Sequence, residues 1–149
     1  MSDSLITFIP QNPDYVPSAQ AQQLGANLVK SLSSKAERVH VECSAKLRFI
    51  DCGENFERIG CPLCAKDIDL DWWHEQTDQV FSSGVLMPVS LRCCGATKTL
   101  NELAYEWPQG FCRFSLEVMN PPDPSFAEEH IEKLEELLGC DLRIIYTHI

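Results

Sequence analysis

The sequence predicts an α+β protein: an antiparallel sheet covered on one face by two helices, with a cysteine-bearing segment inserted midway along the chain. Three observations carry this. Residues 39–49 and 111–119 alternate apolar with polar side chains, the period of a strand buried on one face only. Two other stretches, beginning near Pro17 and Ser125, repeat apolar residues every three or four positions, as a helix with one buried stripe does. Between the alternating segments lie Cys61-Pro62-Leu63-Cys64 and Cys93-Cys94-Gly95, whose spacing suits a metal site.

Leu5-Ile6-Thr7-Phe8-Ile9 is a short apolar run stopped by Pro10, which makes it the first strand. Pro17 suits the first turn of a helix, where its missing N–H is no loss, and that helix is expected to reach about Ser34. Its stripe is Ala21, Leu24, Leu28 and Leu32, with Val29 at the edge and Gly25 on the same face for close packing. In the next strand Val39, Val41, Cys43, Ala45, Leu47 and Phe49 take the inner face, so Cys43 is expected in the core and His40 in solvent. A bend is expected near Ser44-Ala45, because the run is longer than most strands.

A short strand from Phe56 leads into the first cysteine turn. Asp67, Asp69 and Asp71 then read as the acidic opening of a helix to about Ser83. Trp72 and Trp73 fall on different sides of it, so one is expected to cover the metal site or core and the other to be partly exposed. His74-Glu75 lacks a second histidine at Asp78, which excludes the helical metalloprotease motif. Residues 85–91, broken by Pro88, suit an edge strand carrying the second cysteine turn. Residues 100–103 form a turn or helical piece, ended by Trp107-Pro108.

In the third core strand Cys112, Phe114, Leu116 and Val118 point inward, opposite Arg113, Ser115 and Glu117. Asn120-Pro121-Pro122-Asp123-Pro124 is a rigid linker. Ser125 and Glu128 have the spacing of a capping box for the last helix. Its stripe is Ala127, Ile131, Leu134 and Leu138, beside Leu137, and Gly139 stops it. Leu142, Ile144 and Tyr146 form the closing strand, and Cys140 is expected to pack. With residues 52–108 set aside as an insertion with one helix, residues 1–51 and 109–149 read strand-helix-strand twice. That is the ferredoxin-like split βαβ arrangement. The rival is one mixed sheet shared by core and insertion.

The chain carries a net charge of −10 and eight cysteines in 149 residues. The first residues lack a basic n-region and no apolar run is long enough to span a bilayer, so a cytoplasmic protein with reduced thiols is expected. Residues 1–51 balance five bases against five acids, whereas 52–108 hold four against nine and 109–149 three against eight. Such a surface repels phosphate backbones, and the third strand's outward Arg113, Ser115 and Glu117 offer no stacking platform for RNA. A protein partner, basic in character, fits the charge better; plain solubility explains it equally.

The candidate metal ligands are Cys61, Cys64, Cys93 and Cys94. A regular second turn would place its first cysteine at position 91, where Leu91 stands, so Cys93 is the third ligand reached by a tighter turn. His74 or Cys52 substitutes if Cys93 points away. The plainer readings are four buried reduced thiols, which pack as small hydrophobes, or a redox Cys-x-x-Cys pair. The Cys-Pro-x-Cys turn and the second pair weigh against both. Cys61-Pro62-Leu63-Cys64 with Cys93-Cys94-Gly95 resembles the zinc-ribbon group, over about a third of the chain. Residues 100–111 are similar to small uncharacterised bacterial cytosolic proteins, a likeness that implies no activity. The resemblance implies a structural zinc ion and leaves function open.

Four thiolates make a closed shell, and no Ser-His-Asp, paired-carboxylate or phosphate-loop constellation stands out, so catalytic residues are not expected. The expected function is a small acidic, zinc-stabilised protein-binding module, a toxin-neutralising immunity protein being one concrete form. The alternatives are a nucleic-acid- or transcription-associated ribbon and a zinc- or thiol-dependent enzyme.

Overall fold

A computed structural model describes residues 2–123 and 125–149; Pro124 of the expected rigid linker lies outside the described residues. The elements run β1 (Ser4–Pro10), α1 (Ala19–Leu32), β2 (Arg38–Ile50), β3 (Ile59–Gly60), α2 (Leu70–Ser83), β4 (Val89–Ser90), β5 (Thr97–Lys98), β6 (Ala104–Tyr105), β7 (Gly110–Met119), α3 (Glu128–Leu138) and β8 (Leu142–His148). A 3-10 turn, Leu100–Glu102, precedes β6.

The main sheet has the order β2-β7-β1-β8, and each neighbouring pair is antiparallel. The inserted strands pair only among themselves, β3 with β6 and β4 with β5. Among the described residues, the short strands between β2 and β7 therefore do not extend the main sheet. On one face of the main sheet Ile6, Phe8, Phe114, Leu116 and Val118 pack against Ala26 and Val29 of α1 and Leu134 and Leu138 of α3.

The two helices differ from expectation in phase and start. Ser18 caps α1, its Oγ accepting the Ala21 N–H at 3.1 Å. The buried stripe is Gly25, Ala26 and Val29, while Leu24 is 45% exposed. A Cβ on Gly25 would lie 2.8 Å from Leu138 Cδ2, so the helices meet across small residues and the larger Leu24 turns outward. At α3 the capping box does not form. The Ser125 hydroxyl donates to Asp123 Oδ1 at 2.9 Å, and Ala127, exposed, occupies the cap without a side-chain bond. Gly139 ends the helix in the left-handed conformation (φ 79°), as glycine allows without strain.

The bend in β2 is a bulge. Cys43 pairs with Phe114 and Arg48 with Cys112, so five steps along β2 answer two along β7. The extra residues break the alternation beyond Cys43; Cys43 itself keeps the inward phase opposite Phe114 but is exposed on this edge strand instead of buried. The sheet's second face is not fully open either: Thr7, Ile9, Ser115, Ile145 and Thr147 are buried. Residues 51–53, which follow β2, run along β8, where Gly53 bridges His148 and Thr147 Oγ1 donates to the Asp51 carbonyl. Arg48 covers Ser115, donating to its Oγ at 3.1 Å and to the Arg113 carbonyl at 3.0 Å while pairing with Glu42 at 2.9 Å.

A second apolar cluster unites Ile59, Ile68, Trp72, Trp73, Val80, Leu91, Leu100 and Leu103 with Leu47 of β2 and Phe111 of β7. Both Trp72 (6% exposed) and Trp73 (8%) are buried, against the expectation that one would be exposed. The insertion packs on both sides of α2. Trp72 lies beside Arg92 and Cys93, and Trp73 donates from Nε1 to Tyr105 Oη at 3.1 Å. The exposed tryptophan is Trp107, which holds a positive φ of 60°. Arg143 of β8 fastens the returning chain, donating to the Gln109 carbonyl at 2.8 Å and to the Asn101 carbonyl and Oδ1 at 3.1 and 3.2 Å. Asn101 Oδ1 also accepts the Phe111 N–H at 2.9 Å.

Candidate metal centre

The two cysteine turns share one backbone pattern. In the first, Cys61 N–H donates to the Lys66 carbonyl at 2.9 Å and Ala65 N–H to the Cys61 carbonyl at 3.1 Å. In the second, Leu91 N–H donates to the Ala96 carbonyl and Gly95 N–H to the Leu91 carbonyl, both at 2.8 Å. The left-handed residue falls at the same place, Ala65 (φ 63°) in one and Gly95 (φ 74°) in the other. This correspondence sets Cys64 against Cys94, Cys61 against Leu91 and Leu63 against Cys93. Leu91 is 1% exposed and belongs to the apolar cluster. The first position of the second turn therefore packs, and Cys93 supplies a sulfur from the adjoining position.

The four Sγ atoms all lie within 4.8 Å of one another. Cys61 to Cys94 is 3.8 Å and Cys93 to Cys94 is 3.9 Å. A tetrahedron with metal–sulfur bonds of about 2.3 Å has edges of about 3.8 Å. A disulfide would bring two sulfurs to about 2.05 Å. These separations are compatible with four ligands to one ion.

The Leu63 and Cys64 N–H groups both point at Cys61 Sγ, each at 3.4 Å. Those donors, the Cys64 one foremost, hold the Cys61 thiol down to about 6. Burial pushes the Cys93 thiol up to about 12, aided by the neighbouring Cys64, Cys61 and Cys94. Without a cation, four such sulfurs cannot all ionise together; a divalent ion takes the place of their protons.

Neither alternative ligand joins the cluster. Cys52 is fully buried elsewhere, with its N–H donating to Gln109 Oε1 at 3.2 Å, and burial raises its thiol pKa. His74 is exposed on α2, with its ring edge-on to Trp73 at 5.1 Å between centroids. Ser4, His148 and Glu54 do form a row, with Ser4 Oγ 3.3 Å from His148 Nδ1 and His148 Nε2 3.7 Å from Glu54. Glu54 is beyond hydrogen-bond reach of that ring and 72% exposed at its side chain.

Asn101, Gln109 and Arg143 had no signal in the sequence. They are single polar residues whose partners lie far along the chain, and only the folded arrangement brings them together.

The fold and site define a mixed α+β protein with a four-cysteine cluster in a geometry able to hold a metal ion. Comparison with protein-family models, with curated proteins and with solved structures found no match to this chain. No helix among the described residues is long and apolar enough to cross a membrane.

Proposed function

We propose that Cys61, Cys64, Cys93 and Cys94 hold one structural zinc ion, and that the zinc-fastened chain is an acidic protein-binding module. The observation that carries this reading is a cluster of four cysteine sulfurs, with 3.8 Å between Cys61 and Cys94 and 3.9 Å between Cys93 and Cys94, in a chain with a net charge of −10. Four thiolates in a tetrahedron suit zinc or iron chemistry; sulfurs this close leave no room for bridging sulfides, which favours a single ion. All four positions are filled by protein, so the ion fastens the structure and has no vacant position for a substrate.

The architecture we assign is a ferredoxin-like split βαβ core with a zinc ribbon inserted at 52–108. It is supported by the strand order β2-β7-β1-β8, with α1 joining β1 to β2 and α3 joining β7 to β8. The separate pairing of the inserted strands supports the ribbon. The acidic charge directs the module to a basic protein and away from nucleic acid. A toxin-neutralising immunity protein is one concrete form of this role.

The test is binding by the zinc-loaded chain. A purified basic partner recovered from the source cells binds it, and the affinity falls as salt rises. Recovery of no protein partner, or a low-salt gel shift with DNA or RNA, overturns the reading.

A further inference from the structure

A groove of about 400 Å³ lies between the start of the insertion and the ends of the core strands. Its floor is aromatic and aliphatic, made by Phe49, Ile59 and Trp73, and Phe56 and Leu70 stand at its lips. Phe56 is 38% and Leu70 41% exposed, a pair of large apolar side chains facing water. Solvated surface of this kind, gathered around a concavity, marks an interaction site more often than scattered hydrophobes do.

Two further observations say what fits it. Gln109, which lines the groove, is only 4% exposed. Its Oε1 accepts the Cys52 N–H at 3.2 Å, which fixes the amide's orientation because a main-chain donor needs the oxygen. Its Nε2 then has no hydrogen-bond partner among the described residues and is open to solvent, free to donate to an incoming carbonyl. Asp51 and His74 line it, and residues 51–75, which supply most of its walls, hold seven acids against two bases. Of the two bases in residues 51–75, Arg58 is already paired with Asp67 and Glu106.

We propose that this groove docks a cationic peptide segment of a partner protein. The segment inserts one aromatic or branched aliphatic side chain between Phe56 and Leu70. It offers a main-chain carbonyl to Gln109 Nε2 and sets its lysines or arginines against Asp51 and the acidic segment 51–75. The charge argues against a second copy of this chain as occupant, since that copy would bring the same acidic surface. The inference rests on the protein-binding reading above and names its surface and the chemistry of its partner.

The test is selection of short random peptides displayed on phage, using the full zinc-loaded chain as target, with Leu70→Ser and Phe56→Ser as counter-targets. Both side chains are partly exposed, and retained metal content and near-UV circular dichroism establish that the variants fold. The expected peptides carry one Phe, Trp or Leu among lysines or arginines, and each substitution lowers their affinity about tenfold, the effect of losing a well-packed anchor. Acidic or neutral peptides, or affinities unchanged by both substitutions, overturn the groove. If no peptide is selected while the purified cellular partner still binds, the groove falls and the module reading stands; if neither binds, both fall.

Discussion

Cys93 is the residue on which the metal site turns. The second cysteine turn repeats the first bond for bond, yet Leu91, 1% exposed, fills the place corresponding to Cys61. The fourth sulfur must then come from Cys93, the immediate neighbour of Cys94. Replacing Cys93 by serine is expected to weaken zinc binding by more than the roughly 10–100-fold that loss of an outer-shell partner costs. Adding Leu91→Cys to that variant restores a regular turn and should recover much of the affinity. Competition with a chromophoric chelator measures both, and unchanged affinity in Cys93→Ser would exclude it as a ligand. Cys112 makes a separate prediction. Burial, with Glu42 adding and Arg48 opposing, pushes its thiol from 9.0 up to about 11. The unfolded chain releases that proton near 9 while the folded chain keeps it, so the folded state binds more protons across the interval. Stability is therefore full below about 9 and falls as pH rises towards about 11, by at most about 1.4 kcal/mol per pH unit for this group. Urea unfolding across that interval should show a shallower decline in Cys112→Ala than in the parent; equal slopes contradict the assignment.

At the scale of elements, the packing of α1 on α3 depends on Gly25, where a Cβ would meet Leu138 Cδ2 at 2.8 Å. Gly25→Leu is expected to cost about 1–3 kcal/mol by overpacking, read from the urea midpoint at constant slope. Arg143 links β8 to Asn101 and the Gln109 carbonyl, and Arg143→Met should cost about 1.5–3 kcal/mol, the worth of hydrogen bonds made by a charged group. A change within about 0.5 kcal/mol would show that the clamp is incidental. The alternating and helical periods in the sequence located β2, β7, α1 and α3, because repeated apolar positions report burial directly. They failed where the surroundings of a single residue override the repeat. The edge position of β2 left Cys43 exposed although it keeps the inward phase, the small pair Gly25 and Ala26 drew the α1 stripe away from Leu24, and the Ser125 hydroxyl chose Asp123 over the helix end. The adjacent tryptophans misled for another reason. A lone amphipathic helix would expose one of them, but α2 is packed on two sides.

For the whole molecule, the cluster around Trp72 and Trp73 joins the cysteine turns to Leu47 and Phe111 of the main sheet. Metal removal should therefore be felt at the tryptophans, while the helix-covered side of the sheet, built on Phe8, Phe114 and Leu116, keeps its own core. Chelation is expected to abolish the near-UV tryptophan signal and leave most far-UV signal, since structural zinc contributes on the order of 10 kcal/mol to small zinc-folded units. An unaltered near-UV spectrum after complete metal removal would contradict this coupling. The cysteine cluster was legible in advance because its turns have a chemical signature at short range. The apolar groove was not, because its walls come from β2, α2 and the chain on either side of the insertion. X-ray absorption at the zinc edge of the purified chain tests the central claim most directly. Four sulfur scatterers at about 2.3 Å are predicted. A shell containing nitrogen or oxygen, or protein purified without chelator that holds no stoichiometric zinc, would contradict it.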